Sequence, residues 1–350
     1  MAKTFDLARW ARPEMLALAP YTSARDTFTA TEGDYTFLDA NENPNPSSVN
    51  RYPDPSQLVL KQEIASLRGC PINQLLIGNG SDEILDLLFR AFCTPNKDDV
   101  VLMPPTYGMY AVLANINGVG IKAVPLTDDF QLDSSQILAA VGPTTKAIFF
   151  CSPNNPSGNL FKTADITALL EGFEGLVVID EAYIDFTERQ SWLSKIDTYP
   201  NLIVTQTLSK AFGLAGLRLG IAIAQPNIIE LLHNIKPPYN INTLSQQKAI
   251  EVLSNVKDVD VQIAELLSER SRVAAYLSKL DWVINVFPSD ANFLLVRVDD
   301  ATKRYNALLA EKVVVRNRST QTNCANTLRI SIGTPGENNK LIAACNTISL

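Results

Sequence analysis

Leu202-Ile203-Val204-Thr205-Gln206-Thr207-Leu208-Ser209-Lys210-Ala211-Phe212-Gly213-Leu214-Ala215-Gly216-Leu217-Arg218-Leu219-Gly220-Ile221-Ala222-Ile223 joins two short apolar runs through a loop with one lysine. Thr207 and Ser209 stand just before that lysine and an arginine follows eight residues after it. Both runs are apolar on both faces, which suits strands covered by helices. Leu75-Leu76-Ile77, Asp99 to Met103, Lys146 to Cys151 and Leu176 to Ile179 have the same character and alternate with segments of helical period. The pattern predicts an α/β fold with a mostly parallel sheet over roughly residues 75–225. Ligands of such sheets bind at the carboxyl ends of strands, and the lysine loop follows one of those ends.

The 350 residues, 46% hydrophobic and 19% charged, describe an ordinary globular chain of about two domains. After Pro237-Pro238 the pattern becomes a long helical stretch, from about Thr243 to Leu280, leading into a smaller α+β unit. Strand signals there lie at Trp282 to Val286, Asn292 to Val298, Val313-Val314-Val315 and Thr327 to Ile332. The Pro- and Asn-rich stretch 41–55 reads as a loop.

Several chemistries are excluded early. The cysteines at 70, 93, 151, 324 and 345 are odd in number and have no C-x-x-C spacing, so neither a disulfide framework nor a zinc ribbon is expected. His233 is the single histidine, which leaves no basis for a Ser-His-Asp system or a histidine metal site. A net charge of −7 without a basic run disfavours nucleic acid and anionic membranes. No apolar run approaches the roughly twenty residues of a membrane helix, and the start lacks an apolar signal core. The expected location is cytoplasmic.

Three motifs carry chemistry. Gly78-Asn79-Gly80-Ser81-Asp82-Glu83 follows a strand and opens an apolar helix, with Ser81 expected as the N-cap. Backbone amides at such a start suit an anion, phosphate above all; a ligand-free glycine turn is the alternative. Asp180 ends the buried run Val177-Val178-Ile179, a costly position for a carboxylate unless it meets a cation or donors. A metal ligand or a loop cap is the alternative there. In the Lys210 loop, small residues allow close backbone approach to a ligand. A shielded lysine suits imine chemistry, and the two hydroxyls with Arg218 form a candidate phosphate cup.

Ser152-Pro153-Asn154-Asn155-Pro156-Ser157-Gly158, Asp180-Glu181-Ala182-Tyr183 and the segment from Ser209-Lys210 to Arg218, in this order and spacing, resemble the pyridoxal-phosphate-dependent aminotransferases of fold type I. The resemblance covers essentially the whole chain. Leu38 to Pro44, Arg51-Tyr52-Pro53-Asp54-Pro55, the Pro20 to Arg25 arm and Leu328 to Gly333 are similar to the histidinol-phosphate aminotransferases in particular. The fold so implied is a mostly parallel mixed sheet in a large domain plus a smaller α+β domain. An N-terminal arm with part of the small domain would span 1–45, the large pyridoxal-phosphate-binding domain 46–255 and the small C-terminal domain 256–350.

Carried over by position, the resemblance implies that Lys210 holds the cofactor covalently and shuttles a proton, while Asp180 pairs with the ring nitrogen. Tyr183 and Asn155 would bond the ring's phenolic oxygen, and Tyr107 would stack on the ring. The cofactor phosphate would lie against Gly80, Ser81 and Asp82 with Thr207, Ser209 and Arg218, through the backbone amide rather than the carboxylate of Asp82. Tyr52 would reach that phosphate from a neighbouring subunit, implying a homodimer with shared sites. Arg329 would grip the α-carboxylate of glutamate, and Arg316, thirteen residues earlier, the substrate phosphate, with Tyr21 and Asn292 lining the pocket. A surface arginine at a strand end is the alternative for Arg316. Ser157 departs from the commoner threonine and Gln206 from a frequent basic residue. The implied reaction is ping-pong transamination between L-histidinol phosphate and 2-oxoglutarate. The alternatives are aromatic amino-acid transamination and threonine-phosphate decarboxylation, and no metal is expected.

Overall fold

A computed structural model describes residues 5–21 and 35–348. Seven strands form the first sheet: β1 (Leu75–Asn79), β2 (Asp99–Leu102), β3 (Gly120–Ala123), β4 (Thr145–Cys151), β5 (Leu176–Asp180), β6 (Leu202–Thr207) and β7 (Leu219–Ile223), in the order β1-β7-β6-β5-β4-β2-β3. β7 runs antiparallel to both neighbours and every other pairing is parallel. Every residue of β5, β6 and β7 is buried, because helices cover both faces and their Val, Ile and Leu side chains have no solvent side. The helix Ser81–Phe92 shows how the cover is made: Ile84, Leu85, Leu88, Phe89 and Phe92 recur at helical spacing and are all buried.

The second sheet, β8 (Val283–Val286), β9 (Phe293–Val298), β10 (Arg316–Asn317) and β11 (Thr327–Ser331), is antiparallel in the order β10-β11-β9-β8. β9 faces two cores at once. Phe293 and Leu295 join the large core, while Leu294, Val296 and Val298 join a smaller one with Val273, Leu277 and Leu328, as the two-residue period of a strand requires.

The helical stretch expected over Thr243–Leu280 is present as two helices, Thr243–Leu253 and Val256–Leu277. Asn255 between them takes φ −132° and ψ 58°, and Ser254 Oγ donates to the Glu251 carbonyl, the local competition that serine and asparagine offer a helix. Two other expectations are corrected. The strand expected at Val313–Val315 begins only at Arg316: Val313 N is tied to the Leu308 carbonyl at 2.9 Å and Val314 is exposed. Ser81 is not the N-cap. Gly80 holds that place at φ +80°, a left-handed value natural to glycine, and Ser81 is the first helical residue.

No helix among the described residues is long and apolar enough to cross a membrane. Thr22 to Arg25 of the arm lie outside the described residues.

Candidate active site

Topology brings the chemistry to one sheet edge. The parallel strands β4, β5 and β6 end there at Cys151, Asp180 and Thr207, and the register pairs Cys151 with Asp180 and Thr207 with Gly220. Because β7 is antiparallel, its first residues lie at the same edge, with Arg218 just before them. β1, antiparallel to β7, ends there too, with Asn79 opposite Leu219. The loops that begin at Gly80, Ser152, Glu181 and Leu208 therefore surround one cavity of about 430 Å³.

Asp180 and Tyr183 line this cavity with Lys210. Asp180 is 3% exposed and accepts hydrogen bonds from Tyr110 Oη at 2.9 Å and from Ala182 N at 3.2 Å. Burial pushes its pKa up to about 6 although the Tyr110 bond pulls it down. Among the described residues it has no salt-bridge partner, so the carboxylate is arranged to meet a cationic N–H from a guest. Lys210 Nζ stands 5.8 Å from the Tyr183 ring centroid. Solvent reaches this lysine through the cavity mouth, while protein packed around it lowers its pKa, by burial first and by Arg329 second.

An anion cradle closes one end. Ser81, Asp82, Thr207, Ser209 and Arg218 line it. Thr207 Oγ1 donates to the Leu219 carbonyl and lies 2.9 Å from Ser209 Oγ, so Thr207 and Ser209 form one polar corner. Arg218 takes the left-handed φ of 54° and its carbonyl accepts from Gly80 N at 2.8 Å. A Cβ on Gly80 would lie 2.7 Å from Arg218 Nη2, and one on Gly220 would overlap the backbone at Gly80 and Ser81. Gly220 is thus needed for the close approach of the two loops, and Gly80 for its positive φ. The acidic side chains of the helix start are otherwise engaged: Asp82 with Tyr107 Oη at 3.0 Å and Arg218 at 3.6 Å, Glu83 with Asn240 Nδ2 at 2.8 Å. The helix amides are left for an anion. A phosphate cradle, a buried carboxylate lacking a cation and a lysine of lowered pKa in one cavity fit pyridoxal phosphate.

At the other end Arg329 Nη1 donates to Asn155 Oδ1 at 2.7 Å, and Asn155 Nδ2 donates to Tyr183 Oη at 3.3 Å. Arg316 sits directly opposite Arg329 in the β10–β11 register and lines the same cavity. Tyr21, Tyr52 and Asn292 do not line it. Tyr21 and Tyr52 border a separate cavity with Tyr239, Tyr52 stacking on Tyr239 at 4.5 Å. The Asn292 carbonyl accepts from Ile332 N. Tyr110, Arg318 and Gln321 are site residues the sequence reading lacks. Tyr110 lies in the apolar helix Met109–Ile116, where its sequence context marks it only as a core residue.

The sequence profile of the family described as aminotransferase class I and II matches residues 32–345. A histidinol-phosphate aminotransferase of Christiangramia forsetii is 51% identical over 342 residues, 98% of each chain. One of Flavobacterium johnsoniae is 53% identical over 336 residues, 96% of each chain. The crystal structure of histidinol-phosphate aminotransferase from Sinorhizobium meliloti in complex with pyridoxal 5'-phosphate superposes with a TM-score of 0.79 at 23% identity, covering 86% of this chain and 84% of that one. Cavity, sheet order and sequence agree: this chain belongs to the class I and II aminotransferases, enzymes that depend on pyridoxal phosphate.

Proposed function

We propose that the chain transfers an amino group from L-histidinol phosphate to 2-oxoglutarate, yielding imidazole acetol phosphate and glutamate, a step of histidine biosynthesis. The observation that carries this reading is one cavity holding Lys210, buried Asp180 and the cross-strand pair Arg316 and Arg329. Relatives at 51% and 53% identity with that name support it.

When bound, pyridoxal phosphate supplies the carbonyl carbon that receives the amino group and the ring that withdraws electrons from the reacting carbon. Asp180 would hold the ring N–H, a cation that would offset the cost of the carboxylate's burial. Tyr183 and Asn155 would orient the ring's phenolic oxygen, Tyr107 would cover the ring, and Ser81, Asp82, Thr207, Ser209 and Arg218 would anchor the phosphate. The Lys210 amine, partly desolvated and near a guanidinium, releases its proton readily and so can take one from the substrate α-carbon. Arg329, already oriented by Asn155, grips the α-carboxylate of glutamate. Arg316 receives the phosphate of histidinol phosphate.

The proposal includes a homodimer in the cytoplasm, with Tyr52 of the partner subunit reaching the cofactor phosphate and Tyr21 and Asn292 completing the substrate pocket. Exposed Val49, Tyr52 and Leu244, which line one surface cavity, support that assembly. It also includes the division into 46–255 and 256–350, with 1–45 as an arm and part of the small domain. Steady-state rates with both substrates varied test the reaction: parallel double-reciprocal lines with glutamate as product are expected, and no glutamate from histidinol phosphate would overturn it.

A further inference from the structure

Five cationic side chains and two carboxylates line the cavity. Asp82 pairs with Arg218 and Asp180 lies among Tyr110 and backbone, so the guanidinium groups of Arg316, Arg318 and Arg329 have no carboxylate partner among the described residues. Strand geometry explains their convergence. Arg316 pairs with Arg329, and Arg318 N continues the ladder to the Thr327 carbonyl at 2.9 Å. With a period of two, Arg316, Arg318 and Arg329 share one face while Asn317 and Leu328 take the other. The chain then turns, Gln321 N donating to the Arg318 carbonyl at 2.9 Å, which returns Gln321 to the same cavity. Arg318 Nε and Arg329 Nε are buried donors without a hydrogen-bond partner, and only the amide nitrogen of Gln321, Nε2, can donate to an anion. Burial and the guanidinium groups of Arg329 and Arg316 all disfavour charge on Arg318.

Three like charges held together with unused buried donors favour an anion that carries more than one charge. We propose that Arg318, with the side-chain amide of Gln321, joins Arg316 as the receptor for the substrate phosphate and makes the site prefer a dianionic phosphate ester to a monoanionic carboxylate. This assignment deepens the reading of the site as a histidinol-phosphate transaminase and rests on it.

The test uses the cofactor-loaded enzyme and the variants Arg318→Gln, Arg318→Lys and Gln321→Ala, with melting curves to establish folding. Arg318→Gln should raise KM for histidinol phosphate about tenfold to a hundredfold, the size of one lost charge-assisted contact. Its kcat should change little, and kcat/KM for glutamate should fall less than about threefold. Arg318→Lys should recover part of the loss, because an ammonium keeps the charge without the planar fork. Inorganic phosphate, competing with the amino donor while the cofactor fills the other phosphate site, should inhibit Arg318→Gln about tenfold more weakly. Equal losses with both donors, a loss in kcat alone, or unchanged phosphate inhibition overturns the proposal. Failure of the unaltered enzyme to accept histidinol phosphate defeats the substrate reading instead, and phosphate inhibition measured with glutamate still decides the role of Arg318.

Discussion

Replacing Asp180 by asparagine isolates the charge from the shape of the site. Asp180 stands 3% exposed at the end of β5, with Tyr110 and Ala182 N as its donors, and its pKa rises from 3.8 to about 6. At about 1.36 kcal/mol per pH unit, keeping it ionised costs the cofactor-free protein about 3 kcal/mol. The folded-state pKa is the higher one. The favourable contribution is therefore complete below about pH 4 and is lost as pH rises through about 6. Asp180→Asn has no such titration. In urea denaturation without cofactor, the variant's stability relative to the unaltered protein should climb by about 3 kcal/mol between pH 4 and pH 7 and then level off. Loading with pyridoxal phosphate should reverse the ranking, because the ring N–H meets a carboxylate only in the unaltered protein. Transamination by the variant should fall at least about a hundredfold. A stability difference flat with pH, or a variant of normal activity, refutes this account of Asp180.

Tyr110→Phe removes the hydroxyl that donates to Asp180. It should cost about 1.5–3 kcal/mol at pH 8, where the carboxylate is charged, and less as pH falls through about 6; urea denaturation at pH 8 and pH 5 reads the difference. Lys210→Ala should fold normally and bind the cofactor noncovalently, yet lose turnover by at least about a thousandfold in a glutamate-formation assay. Gly220→Ala forces a Cβ into the backbone at Gly80 and Ser81. It should destabilise the protein by about 3 kcal/mol, the upper end for overpacking, and weaken cofactor binding in a titration followed by absorbance.

Much of the large sheet is legible because its strands are apolar on both faces and long enough to read. β3 is not: Gly120-Ile121-Lys122-Ala123 is short, largely exposed and at the edge, and its sequence has neither alternation nor β-branched density. The lysine loop, the helix start at Ser81 and Asp180 announce themselves by being costly or permissive in ways core residues are not. Tyr110 is hidden for the opposite reason, since a fully buried tyrosine inside the apolar helix Met109–Ile116 looks like packing until its hydroxyl meets Asp180. Arg318 and Gln321 follow a strand of two residues, too short to show a period. The valines before it attract the strand assignment, and only the pairing with β11 reveals which face the arginines share.

The most direct test of the central claim is a single-turnover measurement on the yellow, cofactor-loaded protein mixed with limiting L-histidinol phosphate, and separately with phenylalanine and threonine phosphate. Stoichiometric bleaching by histidinol phosphate, at concentrations far below those phenylalanine requires, is the predicted result. A preference for phenylalanine, or carbon dioxide released from threonine phosphate without bleaching, would contradict it.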